Sequence, residues 1–384
     1  MSDVRRFAIV APNFYPRVCG VGDHSARLGQ ELQRRGHEVV IFSREPVDRH
    51  PEAPDVEVRG VVGRLPIVVA QHLAKALSEY RPMDLLFQYT NQMWDSWRFG
   101  SPAATWLAAQ ARRSGARVTL IAHELFVPWL VRPDLALAAL LQRIQFAMLL
   151  RTCDRFFVTT DTRARFIAPL CRRLGVGVPQ VTRVGPNALP IENRRRPEAG
   201  MGRAPQIGLF STAAVGKRFD VVLDAFARIA STISSAELVL IGDLGPPDRP
   251  RVRAIVDAIS RHPARRRIRV TGRLSLSQIA FEMAGLDLYL FPMETGANTR
   301  SGTLPAALGS GLPSVAVCGP ETDLELFRDG ENIVFASEMS GLAFADAALR
   351  LLGSPSTLAR VGEGGRRLYA EHMSWERIAD HLLA

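Results

Sequence analysis

The densest run of reactive side chains is Asn298-Thr299-Arg300-Ser301-Gly302-Thr303, which holds a guanidinium, a carboxamide and three hydroxyls. A planar guanidinium beside hydroxyl donors suits a phosphate or a similar oxyanion. Gly302 would let the backbone approach such a ligand closely. Glu294 stands just ahead and offers a carboxylate to ligand hydroxyls. An ordinary surface loop with a solvated arginine is the plain alternative. A second candidate is Lys217. The chain has 48 basic residues but only two lysines, Lys75 and Lys217. A lysine kept against that bias suggests a place that wants a compact point charge. Lys75 falls in a helical pattern and reads as a solvated side chain. Gly20 and Gly22 follow an early apolar run, and His123 and Glu124 end a later one. The histidine is either a ligand group or a structural cap.

Those groups need elements to hold them. The apolar run over residues 286–291 stops at Pro292, residues 304–308 read as a short helix closed by Gly309 and Gly311, and residues 313–317 read as the next strand. The reactive loop therefore runs from a strand into a helix start, where parallel α/β sheets hold anions. The chain opens in the same way, with a strand over 7–11, a glycine-containing loop over 12–22, a helix to 35 capped by Asp23 or Ser25, and a strand over 38–43. Ser25 stands where the third glycine of a dinucleotide fingerprint would be, which argues against a dehydrogenase. Strands over 56–62, 84–89, 117–122, 155–159 and 180–184 alternate with helices over 67–79, 102–114, 135–151 and 162–174. Residues 190–205 are rich in proline, glycine and charge and read as a linker. Beyond them strands over 206–210, 236–241 and 268–271 alternate with helices over 219–233, 251–260 and 277–284. The expectation is two Rossmann-like, doubly wound α/β domains facing across a cleft, with ligands at the strand carboxyl ends.

Composition narrows the partners. A chain of 384 residues suits two domains, and 47% hydrophobic with 22% charged residues is globular. The richest apolar stretch, 135–150, is broken by Gln142, Arg143 and Gln145. It reads as a packed helix, ahead of a membrane-surface segment. A net charge of +10 points to an anionic partner such as a nucleotide or an anionic membrane surface. No nucleic-acid motif accompanies it. The start of the chain reads as a first strand and not as a signal peptide. Cys19, Cys153, Cys171 and Cys318 have no metal-ligand spacing, so a reduced, cytoplasmic protein is expected.

The segments YPRVCGVGDHSARLGQELQRRGHEVVIF, VGPNALP, GKRFDVVLDAF, ELVLIGDLGP, IRVTGRLSLSQIAFEMAGLDLYLFP, AALGSGLPSVAV and YAEHMSWERIADHLL, in this order and spacing, resemble the retaining family 4 (group 1) glycosyltransferases of the GT-B fold. The resemblance covers nearly the whole chain. It implies an acceptor domain over 1–189, a linker over 190–205, a nucleotide-sugar domain over 206–365 and a terminal helix, within 366–384, crossing back. It also implies roles. Gly20 and Gly22 would lie near the donor phosphates, and His123 near the transferred sugar. Lys217 would neutralise the diphosphate, although Arg218 follows it where the family has glycine. Gly272 and Arg273 would meet the nucleobase. The chain departs from the family at its Glu-x7-Glu pair: anchoring on the downstream Gly311-Leu312-Pro313 puts Asn298 and Ala306 there, anchoring on Pro292 puts Gly296 at the first position, and either way the pair is missing. Thr212 replaces the usual arginine. The Thr299-Arg300-Ser301-Gly302-Thr303-Leu304 loop resembles a divergent branch in which Arg300 would take over phosphate neutralisation.

The implied activity is metal-independent transfer of a sugar, with retention, from a nucleotide-diphosphate donor to a glycan or lipid-linked acceptor. No separate cofactor is expected, and no metal, since an Asp-x-Asp motif is missing. Polysaccharide or glycolipid biosynthesis is the expected setting, with peripheral association at an anionic membrane and no nucleic acid. Acceptor pockets would come from loops 13–19, 88–99 and 126–133, where Trp94, Trp97 and Trp129 could stack on a sugar or pack. The alternative is a degenerate GT-B partner subunit that binds nucleotide or glycan without catalysis. An epimerase would need acidic groups for proton chemistry that are not evident here.

Overall fold

The structure is a computed structural model and describes residues 4–17, 19–91, 93–94, 102–127, 135–191 and 203–384. The expected linker falls largely outside these residues, as do Trp97 and Trp129. The chain divides into two compact units, Met1–Arg183 with Ile378–Ala384, and Val184–Arg377.

In unit 1, strands β1 (Arg6–Val10), β2 (Glu38–Arg44), β3 (Glu57–Val61), β4 (Asp84–Tyr89), β5 (Arg117–Ala122), β6 (Arg155–Val158) and β7 (Gln180–Val181) form one sheet in the order β3-β2-β1-β4-β5-β6-β7. Every pairing is parallel. Helices α1 (Gly20–Arg34), α2 (Pro66–Tyr80), α3 (Pro102–Arg113), α4 (Ala136–Thr152) and α5 (Asp161–Leu174) connect the strands. All six residues of β4 are buried, as befits a strand covered on both faces. Strand order reverses between β1 and β4, which opens a crevice at their carboxyl ends.

Unit 2 repeats the plan. Strands β8 (Gln206–Phe210), β9 (Glu237–Ile241), β10 (Ile268–Val270), β11 (Leu288–Phe291), β12 (Ser314–Val317) and β13 (Val334–Ala336) run in the order β10-β9-β8-β11-β12-β13. The intervening helices are α6 (Phe219–Thr232), α7 (Pro250–Arg261), α8 (Leu276–Gly285), α9 (Thr303–Gly309), α10 (Gly341–Leu352) and α11 (Pro355–His372). The pleat sorts successive residues onto opposite faces. Leu288 and Leu290 join one apolar cluster, and Tyr289 and Phe291 the other. Here the order reverses between β8 and β11. The last helix, α12 (Trp375–Leu383), begins in unit 2, and its residues from Ile378 group with unit 1.

Two expectations change. The first helix begins at Gly20, so neither Asp23 nor Ser25 caps it. Extended Cys19 stands at the cap, Ser25 Oγ bonds back to the Val21 carbonyl at 2.7 Å, and Asp23 pairs with His50 at 3.2 Å. Second, Val184 belongs with unit 2 and not with the strand before it. Its N–H donates to the Thr299 carbonyl at 3.0 Å, and the Asn187 N–H donates to the Gly302 carbonyl at 3.1 Å.

Candidate functional site

At the unit 2 crevice two loops leave the sheet, residues 211–218 after β8 and 292–302 after β11. Backbone bonds zip them together: Arg218 N–H to the Pro292 carbonyl and Glu294 N–H to the Gly216 carbonyl, both 2.9 Å. Between them lies Lys217, which is buried. Its Nζ has two long contacts, 3.4 Å to the Phe210 carbonyl and 3.4 Å to Thr303 Oγ1, and sits 5.8 Å from the Phe291 ring centroid. Among the described residues no carboxylate pairs with it, and burial alone lowers its pKa from the ordinary 10.5 to about 8. Buried ammonium groups are costly unless an anion or a full set of acceptors meets them. This one has two weak acceptors. The same Phe210 carbonyl accepts from the Tyr289 hydroxyl at 3.4 Å, and burial pushes that phenol up to about 12. Ser301 Oγ and Thr303 Oγ1 are 2.9 Å apart and complete a hydroxyl pair beside the lysine.

The rest of the reactive loop is committed to its own fold. Asn298 Nδ2 donates to Thr295 Oγ1 and to the Gly296 carbonyl, and its Oδ1 accepts from the Arg300 N–H. Thr299 is buried. The Arg300 guanidinium pairs with Glu321 at 3.1 Å. A Cβ on Gly302 would lie 1.7 Å from Asn187 Oδ1 and 2.8 Å from the Gly185 carbonyl. The close approach expected of a ligand is thus made by the chain's own residues 184–187. Gly185 in turn lies under the Trp375 ring, 2.6 Å from an added Cβ. Ala306 is buried in α9. Glu294 is exposed and faces Arg218 at 3.8 Å. Gly272, at φ +70, follows β10 and bridges Gly242, and Arg273 beyond it is exposed.

Unit 1 offers different chemistry. His123 ends β5, and its Nε2 lies 2.6 Å from Gln88 Oε1. Its ring meets His24 of α1 edge-on, with centroids 4.9 Å apart. Its backbone carbonyl accepts from Arg163. Burial lowers the His24 pKa to about 4, so this imidazole is neutral at pH 7. Gln88 is fully buried, and its Nε2 lacks a partner among the described residues. Gly22 allows α1 to approach Asn13, whose carbonyl would lie 2.9 Å from an added Cβ, while Gly20 borders open space. Trp94 is core: it is buried edge-on against Phe87. Sequence reasoning passed over His24, Gln88, Asn187 and Glu321. His24 lies on the buried face of an amphipathic helix and Gln88 inside an apolar strand, so neither stands out, and Asn187 and Glu321 acquire partners only through long-range folding.

Two parallel-sheet units of this kind define the GT-B class. The family described as Glycosyltransferase Family 4 matches residues 18–187, and that described as Glycosyl transferases group 1 matches residues 204–354. The chain belongs to these glycosyltransferases. No curated protein matches it in sequence. Solved structures share the fold. A sucrose-phosphate synthase from Thermosynechococcus elongatus is 16% identical at TM-score 0.72, covering 98% of this chain and 97% of the other. Anabaena HepE in complex with UDP and glucose is 14% identical at TM-score 0.72, covering 99% and 98%. The pneumococcal O-GlcNAc transferase GtfA in complex with UDP and GlcNAc is 12% identical at TM-score 0.69, covering 99% and 98%.

Proposed function

We propose that the chain transfers a sugar from a nucleoside-diphosphate donor, held at the unit 2 crevice, to a hydroxyl of a glycan or lipid-linked acceptor, with retention and without a metal. The observation that carries this reading is Lys217, a buried cation at a topological switch point with no carboxylate partner among the described residues. Cleaving a sugar–diphosphate bond leaves negative charge on the diphosphate. A preorganised ammonium in a desolvated site stabilises that charge as it develops. The Ser301 and Thr303 hydroxyls beside it would donate to phosphate oxygens. Retention is part of this proposal: the leaving phosphate would take the acceptor proton on the face it vacates. The solved relatives in complex with UDP and a sugar support a UDP-type donor. In this reading Gly272 and Arg273 would meet the nucleobase and His123 the sugar. For a lipid-linked acceptor, peripheral attachment to an anionic membrane completes the scheme.

A second reading has its own observation. Arg300 is held by Glu321, and Asn298 is used up in the loop. A chain that binds nucleotide without turning it over, as a partner subunit, fits those facts. A thermal-shift panel of nucleotide sugars on wild type, Lys217→Ala and Arg300→Ala decides. Stabilisation of wild type, absent in Lys217→Ala, supports the donor site. Product formation with that donor then supports catalysis, and binding without product favours the subunit. If no nucleotide stabilises the wild type, the donor site is refuted.

A further inference from the structure

Helix α4 reads ALAALLQRIQFAMLLRT and is apolar on two sides. Its alanines, leucines and other straight-chain residues favour a helix. One side, including Phe146, Leu149 and Leu150, is buried. The opposite side carries Leu137, Leu140, Ile144 and Met148 at spacings of three and four residues, exposed at 59%, 43%, 49% and 52%. Ordinary surface helices turn charge outward here. The neighbouring α5 adds Phe166, exposed at 61%. Phe126 ties the two helices together: its ring contacts Phe146 at 5.8 Å and Phe166 at 5.9 Å, with the Arg143 guanidinium over it at 4.2 Å.

The rim is basic. Arg165, Arg172 and Arg173 are exposed on α5, and Arg151 closes α4. Arg112 of α3 donates to the Arg151 carbonyl and is paired with Asp154 at 3.1 Å, so it adds no free charge. Helix α4 contains no Asp or Glu, and the single acid of α5, Asp161, is paired to Arg183 at 2.7 Å. Contiguous exposed apolar side chains mark an interaction surface, and the charge around them selects the partner. A second copy docked on the same face by two-fold symmetry would set arginine against arginine. A bilayer with anionic headgroups accepts the apolar stripe among its acyl chains and pairs the arginines with phosphates.

We infer that the exposed face of α4, with Phe166 of α5, docks unit 1 onto an anionic membrane surface. Among the described residues no helix is long and apolar enough to cross a membrane, and the proposed contact lies in the plane of the interface. The inference rests on this face of unit 1 and gives a place to the membrane attachment proposed above, without depending on the donor reading.

Flotation of the full chain with vesicles tests it, comparing phosphatidylcholine alone with an equimolar mixture containing phosphatidylglycerol. Wild type is expected to float with the anionic vesicles, less so as salt rises. Leu140→Glu/Ile144→Glu, two exposed positions, should lose about tenfold or more of that binding. Arg172→Glu/Arg173→Glu should lose the preference for phosphatidylglycerol. Unchanged melting temperature and unchanged nucleotide shift in both variants would separate this surface from folding and from donor binding. Wild type that floats with neither vesicle overturns the inference, as does a Leu140→Glu/Ile144→Glu variant that floats like wild type. Sedimentation velocity supplies the other contrary result: a dimer in wild type, dissolved by the same variant, with no vesicle binding, would assign the face to a second copy.

Discussion

The two crevices share a backbone plan and differ in charge. In unit 1 the groups at the strand ends are imidazoles and a carboxamide: His24, kept neutral by burial, His123 and Gln88. In unit 2 the loop after β8 brings a buried ammonium to the same topological position. The parallel sheet determines where a ligand binds. The side chain delivered by one loop then decides whether that ligand is a neutral polyol or an anion. In the proposed function a diphosphate would go with Lys217 and sugar hydroxyls with His123.

The largest expected effect comes from removing that difference. Lys217→Met should abolish nucleotide-induced stabilisation and also raise the stability of the ligand-free protein at pH 7, by roughly 1–3 kcal/mol. The sign follows from the folded pKa of about 8 against 10.5. At pH 7 both folded and unfolded forms are protonated, so the burial penalty is present in full. It is relieved as pH rises from about 8 to 10.5. Nucleotide affinity should correspondingly fall as pH rises above about 8. Thermal melts and calorimetric titrations across pH check this, and a Met variant less stable than wild type would mean that Lys217 is well satisfied in the free protein.

Next in size is Gly302→Ala. The added Cβ would collide with Asn187 Oδ1 and crowd the Gly185 carbonyl, so the loop must move. We expect a loss of about 2 kcal/mol or more in stability, together with a weaker nucleotide shift while Lys217 remains in place. A silent Gly302→Ala would show that the 184–187 segment does not position this loop.

At neutral pH the smallest effect is on the unit 1 side. His24 has a folded pKa of about 4 against 6.5, so the unfolded chain takes up the proton first. Stability is lost as pH falls from about 6.5 toward 4, by up to ~3 kcal/mol. His24→Phe should flatten that acid limb and leave nucleotide binding at pH 7 unchanged. An unaltered acid limb would point to other groups.

Much of the architecture follows from local pattern. Local hydrophobic pattern places β4, β8 and α12 at the bounds the structure shows, because strand and helix periods are written in consecutive residues. The scarcity of lysine singles out Lys217. The chain also determines by itself that Asn298 to Thr303 is a loop entering a helix. What that loop does could not be read from it. That Arg300 faces Glu321 and that Gly302 makes room for Asn187 depend on residues 21 and more than a hundred positions away. Helix α4 shows the same limit. Its sequence reads as a packed helix, and one face is packed. Only the tertiary structure decides that the other apolar face is left in solvent, because burial depends on which neighbours the sheet supplies and not on the helix itself.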